Sequence, residues 1–298
     1  MKLLNKMTVM KLPEKNHTYF SCFQKYLNHI SGILPHPESK TRKTVPAFLI
    51  VLALLAVSCG SYDEKAQGIN VLTDDEIRDG WELVFDGKTL SGWRGLNMDH
   101  APDKHWVVEN GLLRKIPRDS IPVEPNEGRP PRIDLLLDRP LHNFEFAFEW
   151  KISKGGNSGI KYNVLEELSA IDDRPQLALG FEYQILDDES YPQIEEYPSW
   201  ASAGLYDLVE PEIETRLNAV GEWNSGRIVF NGNQGEHWLN GDLVVSFALG
   251  SDKMNSLLAA SKWDDIDEFG KRHDEAFIIL QYHTGSVWFR NIKLRELP

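Results

Sequence analysis

FEFAFEWKI, residues 144–152, alternates without a break. Phe144, Phe146, Phe148, Trp150 and Ile152 fall on one side, and Glu145, Ala147, Glu149 and Lys151 on the other. Successive side chains of a strand point to opposite faces, so this stretch reads as a strand with one buried and one solvated face. Further strands lie on both sides of it. Residues 105–114 form a hairpin about Asn110-Gly111, a dipeptide suited to the tight two-residue turn. Residues 227–230, 236–239 and 243–247 read as a meander with Asn240-Gly241 as its second turn. Residues 81–85 supply an early strand closed by Asp86-Gly87, and 276–282 with 287–294 the last pair. One helix interrupts them, capped by Ser251, with Met254, Leu257 and Leu258 as its apolar stripe. Strands, turn punctuation and one peripheral helix predict an all-β, two-sheet sandwich or jelly roll with a single domain over 73–298. Most of the nine Trp are expected in its core, Trp150 and Trp288 above all. Pro concentrates in two long connections, 116–140 and 172–211, of the kind that wrap sites.

The 298 residues are 41% hydrophobic, enough for a substantial core. Their net charge of −13 hides an asymmetry. Residues 1–59 hold eight Lys/Arg and two Asp/Glu, leaving 24 basic against 43 acidic residues, a net −19. So acidic a body argues against nucleic acid or an anionic membrane as a partner of the fold itself. The apolar run 47–57 is too short to span a bilayer, which takes about 20 residues. It follows Lys40, Arg42 and Lys43 and ends at Ala56-Val57-Ser58-Cys59, the pattern of an export signal. Cys59 in the first mature position resembles a bacterial lipoprotein box, and Asp63-Glu64 resembles the export tag of Bacteroidetes surface lipoproteins. The expectation is lipidation at Cys59, an anchor facing periplasm or cell surface, and a tether over 60–72. Residues 1–43 make an overlong leader and fit a misassigned start codon best. Cleavage at Cys59 also removes Cys22, the other Cys, so the mature fold has no disulfide, thiol nucleophile or Cys-ligated zinc.

Two strings carry polar chemistry where a plain core strand would not. In GFEYQILDD, residues 180–188, Phe181, Tyr183 and Ile185 take one face, Glu182 and Gln184 the other, and Asp187 and Asp188 follow. In LQYHTGSVWFRNIKL, residues 280–294, Gln281 and His283 share a face before a Gly-containing turn and Arg290. Lys161, in NSGIKY (157–162), shares a face with Gly159 and Asn163, and Asn157 follows Gly155-Gly156. His237 stands in HWLNG (237–241), while Tyr206 and Trp223 lie by loops where a ring could stack on a pyranose. Each has a plainer reading: Glu182 on solvent, His283 and His237 as satisfied structural histidines, Lys161 at a solvated edge. Arg290 could hold a carboxylate of the protein or reach substrate oxygens. No GxSxG, Walker, HExxH or dinucleotide fingerprint is present. Glu182 with Gln184 offers one carboxylate and one amide, not the pair that ordinary glycosidases place across the bond.

These four strings together resemble the 3-keto-disaccharide hydrolase family. Glu-x-Gln followed by an acidic turn is its most recognisable element, and Asp187 matches the Asp of that turn. The family's His is followed closely by Gly; here Thr284 intervenes between His283 and Gly285. The resemblance implies a concanavalin A-like sandwich with the sugar on one sheet, and cleavage of glycosides already oxidised to the ketone at C3. Removal of the C2 proton and β-elimination of the C1 oxygen would then need a base, a cation or metal at the enolate and a proton donor. The implied base is His283 or Glu182, and the enolate stabiliser Lys161 or a divalent metal of unfixed identity. Substrate contacts are implied for Asn157, Gln184, Asp187 and His237. No nucleotide cofactor is expected, because a separate nicotinamide-dependent oxidoreductase would make the keto sugar. The rival expectation is a non-catalytic carbohydrate-binding lipoprotein on the same sandwich.

Overall fold

The computed structural model describes residues 68–123, 128–170, 178–212 and 217–298. Cys59 and the leader lie outside them. Among the described residues, thirteen strands make two antiparallel sheets: β1 (Glu82–Leu83), β2 (Trp93–Gly95), β3 (Trp106–Glu109), β4 (Leu112–Lys115), β5 (Leu135–Leu137), β6 (Phe144–Ile152), β7 (Asn157–Val164), β8 (Phe181–Leu186), β9 (Asn224–Asn231), β10 (Gln234–Leu239), β11 (Asp242–Ala248), β12 (Phe277–Leu280) and β13 (Val287–Glu296). The eight-stranded sheet runs β11-β10-β9-β6-β13-β4-β3, with β1 also on β13; the five-stranded sheet runs β2-β5-β12-β7-β8. This is the predicted sandwich.

Its core lies where the alternation of 144–152 placed it. Phe144, Phe146, Phe148, Trp150 and Ile152 are buried against Ile160, Tyr162, Phe181, Tyr183 and Ile185 from the facing sheet. Phe148 meets Tyr183 edge-on at 5.3 Å between centroids, a geometry the ring quadrupoles favour. The predicted hairpin turns are present, with Asn110 and Gly111 both at positive φ (54° and 79°), as the tight turn requires. Helix α1 (Asp74–Arg78) opens with a complete capping box between Thr73 and Glu76. Helix α2 (Asp252–Ala260) is capped by Ser251, whose hydroxyl accepts from Met254 N at 3.2 Å.

Trp288 departs from expectation. It faces outward on the eight-stranded sheet, with Arg114 and Lys151 over its ring. The cause is a register shift between Arg290 and Lys293, with Asn291 at φ 50°. That bulge is locked by Asn70, whose N–H donates to Asn291 Oδ1 (2.6 Å) while Asn291 N–H donates to Asn70 Oδ1 (2.8 Å). Strand β2 and strand β5, the latter inside the first Pro-rich connection, go beyond the strands expected from the sequence.

Candidate active site on the five-stranded sheet

Strand register assembles the polar cluster. Leu136, Ile279, Lys161 and Glu182 stand in one row across β5, β12, β7 and β8. Gly159, opposite Gln184, occupies the next row beside Gln281, whose N–H donates to Gly159 O at 2.9 Å. Gly159 matters for what it lacks: a Cβ there would lie 2.3 Å from Glu182 Oε1. The Glu182 carboxylate folds into that space. Gln281 Nε2 donates to Glu182 Oε2 at 3.2 Å, and Lys161 Nζ stands 3.9 Å from the same oxygen. Lys161 gives its close hydrogen bond elsewhere, to Ala178 O at 2.7 Å. The ion pair is therefore loose, and burial decides the outcome. Burial pushes the Glu182 carboxyl up to about 7 although Lys161 and Lys262 oppose it.

Two further ionisable groups organise the cluster. Asp134 is fully buried and accepts from Ala178 N (2.8 Å) and Tyr282 N (2.7 Å). It thereby fixes the peptide that holds Lys161 and the one preceding His283. Lys262, just past α2, lies 4.1 Å over the Tyr206 ring and 4.6 Å over the Trp263 ring. Tyr206 itself is tied to β8, its N–H donating to Glu182 O at 3.0 Å. His283 is held neutral: burial first, then Arg132, Lys115, Lys161 and Lys262, bring its pKa down to about 4. One carboxylate, a neutral imidazole and a surrounding set of cations suit a reaction that builds negative charge.

Of the residues singled out from sequence, the fold unites Glu182, Lys161, His283 and Tyr206, with Asn157 on the same face of β7 as Lys161. The others go elsewhere. His237 is sealed between the sheets, its Nε2 paired with Tyr162 Oη (2.8 Å) and its Nδ1 with Ala203 O (2.9 Å), so it is a core histidine. Arg290 binds Glu149 at 2.7 Å and lies 4.1 Å from the Trp223 ring, both on the outer face of the eight-stranded sheet, across the sandwich from Glu182. Asp187 spends its carboxylate on Gly155 N–H and the Ser190 hydroxyl at 2.7 and 2.6 Å. Gln184 shares the Glu182 face but is buried, its backbone pairs with Ala203 and Gly204, and its Oε1 accepts from Ile185 N. His237, Arg290 and Trp223 thus lie away from the Glu182 cluster, while Asp187 and Gln184 have protein partners of their own. Among the described residues no three His, Cys, Asp or Glu converge as metal ligands, and cations surround Glu182. That donor set does not fit a divalent ion. Lys262, Arg132 and Asp134 were missed. Only Asp134, an isolated acid before the apolar run Leu135–Leu137, carried a signal in the sequence.

Comparison with known proteins identifies the family. The 3-keto-alpha-glucoside-1,2-lyase-like domain matches residues 80–295. A 3-keto-disaccharide hydrolase of Bacteroides thetaiotaomicron is 33% identical over 235 residues, covering 74% of this chain and 79% of that protein. A crystal structure from Parabacteroides distasonis, described only as a candidate glycosyl hydrolase, superposes with TM-score 0.66 at 29% identity, over 78% of this chain and all of that one. A second structure from that organism, described in the same way, is 23% identical with TM-score 0.52 and covers 73% of this chain and 99% of its own; it shares the fold. With its match to the family running from before β1 almost to the end of β13, the chain belongs to the 3-keto-alpha-glucoside-1,2-lyase-like domain family.

Proposed function

We propose that this protein cleaves 3-keto-glycosides by elimination across C1–C2, with Glu182 as the base. The observation that carries the reading is a buried carboxylate with pKa about 7, set 3.9 Å from a lysine on the same sheet face. A base is most effective when its pKa lies near the working pH, which favours Glu182 over His283 at about 4. Glu182 takes the C2 proton, and the C2–H electron pair becomes the enolate of the C3 ketone. Lys161 and Lys262 bear on that charge. The pair then returns to reform the ketone, C1=C2 forms and the C1–O bond breaks. The proton held by Glu182 is available to the departing oxygen. Water addition to the unsaturated ketone, here or on a second enzyme, completes net hydrolysis. His283, neutral at the working pH, can accept a hydrogen bond from a substrate hydroxyl. The relative's name, a 3-keto-disaccharide hydrolase, and the family's 1,2-lyase description both support this substrate class. A nicotinamide-dependent oxidoreductase would supply the ketone, and lipid on Cys59 would hold the enzyme at a membrane.

The test uses a 3-keto-glucoside with a chromogenic leaving group. Deuterium at C2 should slow release several-fold, and the unoxidised glucoside should be inert. Equal release from the unoxidised sugar, with no deuterium effect, would remove the elimination reading. Binding without turnover would instead identify a sugar-binding module.

A further inference from the structure

The mechanism leaves one buried charge without a task. Lys115 ends β4 on its inward face, is fully buried, and has no carboxylate within ion-pair distance among the described residues. An ammonium in a core is costly unless its donors are used. Here Nζ donates to His283 O at 2.8 Å and to Thr284 O at 3.1 Å, and lies 5.0 Å from the Tyr282 ring centroid. Lys115 belongs to the eight-stranded sheet and His283 follows β12 of the other, so this contact crosses the sandwich. The same short segment is held at every step. Ser158 Oγ donates to Gln281 O, Asp134 accepts from Tyr282 N, and Asn157 N donates to Thr284 O.

We propose that Lys115 is a positioning residue for the active site: it clamps the 283–284 backbone from inside the core and so sets where the His283 imidazole stands relative to Lys161 and Lys262, the cations that also act on Glu182. The proposal rests on the elimination reading for its kinetic consequence, not for its structural one. Asp134 and Gln281 are fastened by neighbours of their own, whereas the two carbonyls at 283 and 284 depend on Lys115, with Asn157 N–H sharing the second. Without the ammonium, the His283 carbonyl loses its donor, the Thr284 carbonyl keeps only Asn157 N–H, and the turn that carries His283 can shift. Around Lys115 the charged groups are Arg132 and Asp134, with Tyr282 and His283 as titratable neighbours.

The test compares Lys115→Met, close in volume but without donors, with Lys115→Arg, which restores donors and charge. For Lys115→Met, kcat on the 3-keto-glucoside should fall about 10- to 100-fold with KM within about threefold, because bound substrate meets a misplaced imidazole. In the same variant the His283 titration, followed by NMR of ¹⁵N-histidine, should move to higher pH, since one nearby cation is gone. Lys115→Arg should recover most of kcat. A Lys115→Met protein with unchanged kcat and unchanged His283 titration would overturn the proposal. So would equal losses in the Met and Arg variants. If Lys115→Met does not fold, a protein that keeps Lys115 but lacks the Glu182 carboxyl decides. Burial lowers the Lys115 pKa to about 7, where Glu182 also titrates, so the measurement is made on Glu182→Gln: the His283 ring signals should still shift a second time near that pH, and flat signals there would overturn the proposal. If the unaltered protein proves inactive on 3-keto-glycosides, the function fails, while the His283 titration still tests the clamp.

Discussion

Glu182 works as a base only because burial outweighs the pull of its neighbouring cations. Replacing it with Gln should cut turnover on a 3-keto-glycoside by about 10² to 10⁴ while leaving substrate affinity nearly intact. The same substitution should show in stability. Folding raises this carboxyl from 4.5 to about 7, so the folded state binds its proton more tightly than the unfolded chain. The contribution is present in full below about 4.5 and is lost as pH rises to about 7. Above that pH the carboxylate is buried and charged, so Glu182→Gln should stabilise the protein at pH 8 by on the order of 1–3 kcal/mol. Denaturant unfolding at pH 8 measures this, and a less stable Gln variant would contradict it. His283 and His237, both lowered to about 4 by burial, carry the opposite sign. Their stability is present above about 6.5 and is lost as pH falls towards 4. Removing His237 should therefore flatten the acid limb of the stability curve. It should not act on turnover directly, since this ring lies between the sheets.

At the scale of elements, register does the assembly. Gly159 on β7 is the vacancy that lets the Glu182 carboxylate lie flat across the next strand, so Gly159→Ala should displace it by direct collision. The expected outcome is at least a tenfold loss of kcat with an unchanged far-UV spectrum; full activity would show that the carboxylate has room to move. The longer strands were legible because each turn or alternation has a local cause: Asn-Gly at both tight turns, and nine alternating residues in β6. Strand β5, Leu135–Leu137, is apolar on every residue because both of its faces are covered, so no alternation marks it. Lys115 was missed for a smaller reason. The hairpin was read as ending at 114, although Leu113 and Lys115 share a face and one more residue would have placed a lysine in the core. Glu182 and Lys161 could be read as site residues, but Lys262 could not. It reaches them through the connection after α2, about 80 residues along the chain from Glu182, and no local pattern reports that return.

For the molecule as a whole, residues 73–298 should fold without any disulfide as a predominantly β unit, which a far-UV spectrum checks directly. Cys59→Ser should leave the protein out of the membrane fraction if lipid supplies the anchor, at roughly 0.8 kcal/mol per buried methylene. Membrane retention after that change would refute the anchor. The reciprocal amide pair between Asn70 and Asn291 bears on this attachment in mechanical terms. Tension applied to the chain ahead of Asn70 would not first peel an edge strand. It would enter at the bulge of β13, a strand that pairs with β6, β4 and β1. The load would then be shared among neighbouring ladders of hydrogen bonds in shear, while Glu182 and Lys161 sit on the other sheet, outside the line of force.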